Sequence, residues 1–304
     1  MKFGIAVFPG TWSDRDCARA VEVLGHSSVY LWHRDRDLQG ADCVILPGGF
    51  SYGDHLRTGA VARFAPLMDS VQEFAAAGGL VIGICNGFQI LCEAHLLPGA
   101  LTRNASLEFR CETTWLRVET AETPFTRECR AGEVLAIPIS HGEGRYVADP
   151  ETLDRLDAER RVAFRYVRPD GSPAGDASPN GSMRDIAGIV NETRNVLGMM
   201  PHPERAAEAV LGGEDGMRLF RSILGSVEEA GTFAPTVTPA AVGSAPAAPG
   251  RGPISDRGGP GRRAPARRVM KETVHNAAAD GQGGGGPGPA GEPGGRRRRG
   301  AAPR

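Results

Sequence analysis

A chain of 304 residues with a formal net charge of −1 could hold about two domains of roughly 150 residues, but its composition changes sharply near residue 226. Residues 241–304 carry 12 basic and 4 acidic side chains, which leaves the rest of the chain near −9. No apolar run is long enough to span a bilayer, and the N-terminus lacks the pattern of a secretory signal. We therefore expect a cytoplasmic protein with no membrane partner and with its six cysteines reduced.

The first part of the chain alternates strand and helix patterns. Apolar runs predict strands within 2–10, 27–33, 42–49 and 80–84, and helical spacing predicts helices within 13–25 and 62–79. Asp14 is the expected cap of the first helix. Because the strands are apolar without polar alternation and helices separate them, we expect an α/β fold with a doubly wound, mostly parallel sheet.

From about 101 to 200 the pattern becomes richer in strands, which predicts a β-rich, partly antiparallel insertion. The candidate strands are 113–119, 133–140, 161–168 and 185–190, followed by a return to the main sheet through 195–200 and a last helix near 214–224. The ordered domain is thus expected to span 1–225. Residues 226–304, rich in Gly, Pro, Ala and Arg, are expected to form a disordered tail, since they cannot bury enough apolar surface to offset the entropy of ordering.

The stretch Gly-Ile-Cys-Asn-Gly places Cys85 between two glycines where a buried strand gives way to a helix. A nucleophile in this position sits on a tight turn that tolerates almost no side chain at Gly83 or Gly87. The turn exposes the thiol at the carboxyl edge of the sheet, and the positive end of the following helix favours the reactive thiolate. A packing accident is the alternative interpretation of this pattern.

A thiol nucleophile needs a base and a group that orients the base. His202 lies between two prolines directly after an apolar strand, and Glu204 follows two residues later. The prolines restrict the backbone, and Glu204 could accept a hydrogen bond from the ring, so a Cys85–His202–Glu204 triad is predicted. A rigid surface turn is the alternative for the Pro-His-Pro segment.

An acyl-transfer site also needs donors for an oxyanion. The backbone N–H of Asn86 directly follows the nucleophile, and the Pro-Gly-Gly turn after a neighbouring strand offers a second donor from Gly48 or Gly49, with Gly49 preferred. No C-x-x-C pair occurs among the cysteines, so no metal site is expected.

These motifs, in this order, resemble class I, triad-type glutamine amidotransferases, and more closely the PurQ family of glutaminase subunits of phosphoribosylformylglycinamidine synthase. The resemblance covers 1 to about 225 and rests on segments such as LPGGFSYGDHLRTGAVARF, GICNGFQILCEAHLLPGAL, PISHGEGRY and NVLGMMPHPER. It implies a flavodoxin-like sheet and hydrolysis of L-glutamine, in which Cys85 attacks the amide, His202 moves the proton and a thioester forms. Gln89 lies one helical turn past the elbow and could hold the polar groups of glutamine, with Phe50 and His141 as further candidates.

The same resemblance implies partners. Ammonia would pass to the synthetase subunit PurL, which uses ATP and magnesium to convert formylglycinamide ribonucleotide (FGAR) to the amidine (FGAM) in purine biosynthesis, and the small protein PurS would bridge the two. No cofactor is expected in this subunit, and nucleic acid is not an expected partner.

Three alternatives remain at this point. A cysteine hydrolase or chaperone of the DJ-1 type would share the elbow but not the Pro-His-Pro-Glu segment. A nonenzymatic scaffold could bind nucleic acid through the arginine-rich tail. A third possibility is an amidotransferase that serves another synthetase.

Overall fold

The computed structural model describes residues 1–230. Eleven strands are observed in this part of the chain: β1 Lys2–Val7, β2 Ser27–Trp32, β3 Cys43–Leu46, β4 Leu80–Ile84, β5 Ala100–Thr102, β6 Arg110–Val118, β7 Val134–His141, β8 Arg145–Val147, β9 Val162–Val167, β10 Ile186–Val190 and β11 Val196–Met199. The α-helices are α1 Asp14–Val23, α2 Pro66–Ala76, α3 Asn86–Glu93, α4 Pro150–Ala158 and α5 Met217–Ala230.

Nine strands form one sheet in the order β2-β1-β3-β4-β11-β10-β9-β6-β7. The pairs from β2 to β11 are all parallel. Taken in chain order, these five strands have the 2-1-3-4-5 arrangement of flavodoxin-like folds. Every residue of β3 and β11 is buried, as expected for strands covered on both faces. The predicted doubly wound α/β class is confirmed.

The strands predicted as an insertion continue the same sheet. β10, β9, β6 and β7 follow β11 as an antiparallel extension. A separate two-stranded sheet, β5-β8, was not predicted, because strands of three residues are too short to show a period. The helix α4 was also missed.

The antiparallel extension curls back toward the parallel strands. Five strand spacings separate β4 from β7, which would be about 24 Å in a flat sheet. Nevertheless, the sulfur of Cys85, directly after β4, lies 3.7 Å from the carbonyl oxygen of Ser140 in β7. The backbone N–H of His202 also donates to the carbonyl of Pro138, at 2.8 Å. Residues from the middle of the sheet and from its β7 edge therefore meet at one place.

Helix ends differ from the sequence predictions in small ways. Ser13 is the N-cap of α1, and Asp14 is its first helical residue, so the prediction that Asp14 caps this helix was wrong. The helix α2 begins at Pro66, whose ring fits the first turn, rather than near 62. The helix α5 continues to Ala230, past the domain boundary expected at 225. The tail predicted to be disordered lies, from residue 231 onward, outside the described residues.

All six cysteines are free thiols. Within 1–230, no helix is long and apolar enough to cross a membrane.

Candidate active site

Cys85 occupies the turn between β4 and α3 with φ 53° and ψ −106°. A positive φ is rare for a residue with a side chain, and it costs energy that the surroundings must supply. The backbone on both sides is fixed: the Cys85 N–H donates to the carbonyl of Met199 at 2.8 Å, and its own carbonyl accepts from Gln89 at 3.2 Å. The elbow is therefore a strained turn held between two strands and a helix.

The two flanking glycines are required by packing. A Cβ atom on Gly87 would lie 1.9 Å from the carbonyl oxygen of Leu46, the last residue of β3. A Cβ on Gly83 would lie 2.5 Å from the Leu91 side chain and 2.6 Å from the carbonyl oxygen of Gly87. Because neither backbone carbonyl can move without breaking the sheet–helix contact, only glycine fits at either position.

His202 follows β11 and reaches the same place from the neighbouring strand. Its ring is buried, and the position that a Cβ on Gly48 would take lies 2.7 Å from the ring atom Cε1 and 3.5 Å from the Cβ of Cys85. The imidazole and the cysteine therefore both lie against Gly48, and any side chain at Gly48 would displace the ring.

Glu204 holds the imidazole from behind. Nδ1 of His202 lies 2.6 Å from Oε1 of Glu204, and both side chains are almost fully buried. Burial alone would disfavour the charged ring, but the negative charges of Glu204 and of the Cys85 sulfur more than offset it and raise the pKa of His202 to about 10. Nε2, which has no hydrogen-bond partner within the described chain, is the ring nitrogen left for proton transfer.

Two backbone N–H groups are available beside the sulfur. Asn86 is the first residue of α3, so its N–H has no acceptor within the helix. Gly49 has φ 148°, and a Cβ there would lie 2.6 Å from both the carbonyl oxygen of Gly10 and the nitrogen of Trp12. The side chain of Asn86 ties the two segments together, because its Oδ1 accepts from the N–H of Ser51 at 3.1 Å.

These groups line one pocket of about 290 Å³, near the lower end of the range for small-molecule sites. The pocket is lined by Trp12, Gly49, Phe50, Asp54, Thr58, Cys85, Gln89, Phe109, Ser140, His141, Gly142, Glu143, His202 and Arg205. The structure thus brings together every candidate side chain except Glu204, which lies behind His202, and Asn86, which lies beside the pocket.

The three candidate substrate-binding residues differ in whether their side chains are available to contact a ligand. Both ends of the Gln89 amide are already used: Oε1 accepts from Asn86 at 2.9 Å, and Nε2 donates to the carbonyl of Glu143 at 2.7 Å. His141 is buried, whereas Phe50 is about half exposed at the pocket mouth. Gln89 is therefore placed to position its neighbours as much as to contact a ligand.

Sequence reasoning missed the charged and polar residues that line the rest of the pocket, chiefly Asp54, Glu143 and Arg205. Asp54 and Glu143 lie within segments that the sequence analysis already singled out, SYGD and HGEGRY. Their carboxylate side chains were the feature from which a role in the pocket could have been predicted. Arg205 directly follows Glu204 and donates to the Ser13 hydroxyl at 2.9 Å.

The other cysteines differ from Cys85 in environment. Cys17, Cys43 and Cys92 are buried, and burial raises their pKa values well above the ordinary thiol range. Burial likewise raises the pKa of Cys129 to about 11. Cys111 is exposed. Of the six cysteines, Cys85 alone lines the pocket with His202.

A cysteine on a strained elbow of an α/β sheet, with a buried histidine–glutamate pair and two adjacent backbone donors, defines the class of enzymes that transfer acyl groups through a thiol. Comparison with known proteins narrows this class. The family model described as a CobB/CobQ-like glutamine amidotransferase domain matches residues 1–214.

Proteins called phosphoribosylformylglycinamidine synthase subunit PurQ are similar over the same part of the chain. The protein from Moorella thermoacetica is 60% identical over 225 residues, which are 74% of this chain and 95% of that protein. The one from Synechococcus elongatus is 56% identical over 74% of this chain and 98% of its own. In a solved structure described as PurLQS from Thermotoga maritima, a chain covering 74% of this protein and 98% of its own length superposes with a TM-score of 0.66 at 44% identity.

The chain therefore belongs to the glutamine amidotransferases of the CobB/CobQ-like family and, within them, to the PurQ family. The resemblance inferred from the motifs is confirmed, and the DJ-1-type alternative is not supported.

Proposed function

We propose that this chain is the glutaminase subunit of phosphoribosylformylglycinamidine synthase. It hydrolyses L-glutamine to glutamate and supplies the ammonia for the ATP-dependent conversion of FGAR to FGAM in purine biosynthesis. The observation that carries the proposal is the position of Cys85 on a strained elbow beside the buried His202–Glu204 pair.

In the proposed mechanism, the sulfur of Cys85 attacks the side-chain amide carbon of glutamine. Negative charge develops on the amide oxygen, where the N–H groups of Asn86 and Gly49 can receive it; removing one such donor typically costs about 100-fold or more in rate. The tetrahedral intermediate then expels the nitrogen, which takes a proton from Nε2 of His202 and leaves as ammonia. A γ-glutamyl thioester remains on Cys85.

The second half of the cycle reverses these roles. Neutral His202 accepts a proton from water, the water oxygen attacks the thioester carbon, and glutamate leaves as the carbon–sulfur bond breaks. Glu204 keeps the ring in one orientation through both halves, and its charge stabilises the imidazolium that is present before the first half and forms again in the second. Atoms and charge balance without any cofactor in this subunit.

For the partners, we propose the assembly that the Thermotoga maritima structure names. Ammonia would pass from this chain to a PurL synthetase, which would bind the ATP and magnesium, and PurS would join the two. The alternative of a nucleic-acid scaffold rests on the arginine-rich tail, which lies outside the described residues, and the comparisons do not support it.

The decisive experiment follows glutamate release and FGAM formation in mixtures of the full chain with PurL and PurS. Cys85→Ala should abolish glutamine-dependent FGAM formation, while the same complex still uses added ammonium chloride, because the synthetase site is unchanged. Cys129→Ala is the matched control: it removes a buried thiol near the start of β7, away from the pocket, and should keep full glutamine use. Equal glutamine use by the wild type and Cys85→Ala would reject the mechanism.

A further inference from the structure

One part of the pocket offers only hydrogen-bond acceptors. It is formed by the side chains of Asp54, His141 and Glu143, which all line the cavity beside Cys85. We call these three residues the acceptor wall. None of them is needed for the proton transfers described above.

Asp54 is the central member of the acceptor wall. It ends a short stretch in which Tyr52, Gly53 and Asp54 all have positive φ, so the backbone is held in an uncommon conformation that aims this residue. Its carboxylate receives one weak hydrogen bond, from Nδ2 of Asn86 at 3.4 Å. Within residues 1–230, no basic side chain lies within ion-pair distance of it.

The charge of Asp54 is poorly compensated in this position. Burial, with the negative charge of Glu143 adding to it, raises the pKa of Asp54 to about 6. Glu143 has only a distant partner, the exposed Arg103, whose Nε lies 3.7 Å away. The main chain of Glu143 is fixed against α3 through Gln89. Two carboxylates therefore line one cavity, and neither has a close ion-pair partner within residues 1–230.

His141 provides independent evidence that the pocket is built to receive a hydrogen-bond donor from a ligand. Asn104 donates through Nδ2 to the carbonyls of Glu108 and His141, so its Oδ1 must be the acceptor that faces Nδ1 of His141, at 3.1 Å. Nδ1 therefore carries the hydrogen. Burial and the nearby charge of His202 lower the pKa of His141 to about 4, so the ring is neutral and Nε2 is an acceptor. That Nε2 is buried and has no partner within the described chain.

We propose that the acceptor wall, with Asp54 as its principal residue, binds the α-ammonium group of the amide donor and thereby selects an amino acid over a simple amide. The inference rests on the proposed glutaminase function. An ammonium group has three N–H donors and no acceptor, which matches a lining of acceptors alone. A metal ion fits less well, because within 1–230 no group of three His, Cys, Asp or Glu side chains could hold one.

The position also suits the length of glutamine. Asp54 contacts the side chain of Asn86, the residue next to the nucleophile, and it lines the same pocket as Cys85. A short aliphatic chain separates the amide carbon of glutamine from its α-nitrogen. The amide can therefore lie at Cys85 while the α-ammonium group lies at Asp54.

The test compares L-glutamine with glutaramate, which is glutamine without its α-amino group, in the complex of the full chain with PurL and PurS. Asp54→Asn is nearly isosteric, and asparagine tolerates positive φ, so the variant should fold. We expect it to raise the KM for glutamine on the order of 10- to 100-fold, the range for a lost charged hydrogen bond, with kcat and the kinetics of glutaramate nearly unchanged. Glu143→Gln should act in the same direction with a smaller effect.

The control Asp170→Asn removes an exposed carboxylate from a surface turn and should change neither substrate's kinetics. A glutamine-to-glutaramate preference that is equal in the wild type and Asp54→Asn would overturn the inference while leaving the proposed function intact. If instead the wild-type complex releases no glutamate, the proposed function fails. The inference can then be tested separately by measuring, with calorimetry, how tightly glutamine and glutaramate bind to Cys85→Ala and to the double variant Cys85→Ala/Asp54→Asn. If the double variant no longer prefers glutamine over glutaramate, the inference is supported. If the preference is unchanged, the inference is overturned.

Discussion

The parallel and antiparallel parts of the sheet contribute to one pocket in different ways. In the parallel part, the site is built from turns at the carboxyl ends of β3, β4 and β11: Cys85 follows β4 directly, and Gly49 and His202 lie three residues past the ends of β3 and β11. In the antiparallel part, the residues from Ser140 to Glu143 reach the pocket only because the sheet curls back on itself. The reactive groups are thus encoded locally, whereas the acceptor wall depends on tertiary structure.

The parallel part should lose stability and activity when the close contact between Gly87 and Leu46 is disturbed. In Gly87→Ala, the new Cβ would meet the carbonyl oxygen of Leu46 at 1.9 Å, so either α3 or β3 must shift. We expect a loss of roughly 3 kcal/mol or more in the free energy of unfolding, measured by urea titration, and no detectable glutaminase activity.

Gly213→Ala is the matched control for this substitution. A Cβ on Gly213 meets nothing within 4 Å. The change should stay within about 0.5 kcal/mol of the wild type. A Gly87→Ala protein as stable and active as this control would show that the elbow does not need a glycine.

The local nature of the parallel part explains what the sequence could predict. The elbow, the Gly-Gly turn and Pro-His-Pro-Glu are short segments in which glycine or proline is demanded by the backbone, so they are visible without knowledge of the fold. The five parallel strands were visible for a similar reason, since each contains a run of apolar residues. Helix α4 could also have been found, because Asp149 caps it and Pro150 opens it.

The acceptor wall could not be derived in the same way. Spacing along the chain does not reveal that β7 lies against the elbow, five strands away in the sheet. The position of Asp54 depends on positive φ angles at Tyr52, Gly53 and Asp54. Of these three residues, only Gly53 is of a type for which a positive φ could be predicted from the sequence. The buried amide of Asn104, which orients His141, is likewise set by contacts between distant segments.

A second prediction concerns the His202–Glu204 pair, which the parallel part supplies on its own. Glu204→Gln keeps the shape of the side chain but removes the charge that stabilises the imidazolium. We expect kcat for glutamine hydrolysis to fall on the order of 100-fold or more, with ammonia-dependent synthesis by the complex unaffected. Retention of the wild-type kcat would show that Glu204 does not act on His202.

The same variant should also show a pH signature. Folding raises the pKa of His202 from 6.5 to about 10, so the contribution of this pair to stability is complete below about pH 6.5 and is lost as pH rises through 10. The difference in unfolding free energy between the wild type and Glu204→Gln should therefore be larger at pH 6 than at pH 10.5. A difference that does not change over this window would contradict the assigned ion pair.

The smallest effect is expected from the antiparallel part. Asn104 is fully buried, and it holds the acceptor wall through hydrogen bonds to the His141 ring, the His141 carbonyl and the Gly144 N–H. Asn104→Ala should loosen the wall without touching the elbow, so we expect the KM for glutamine to rise about 10-fold with kcat nearly constant.

Asn191→Ala removes comparable amide hydrogen bonds from the turn between β10 and β11, outside the pocket. It should lower stability by about 1–3 kcal/mol, as Asn104→Ala does, but leave the KM unchanged. If Asn104→Ala instead lowers kcat as strongly as Glu204→Gln, the contributions of the parallel and antiparallel parts to the site are not separable. Because His141 is close enough to His202 to feel its charge, that outcome would mean that the wall also orients the reacting groups.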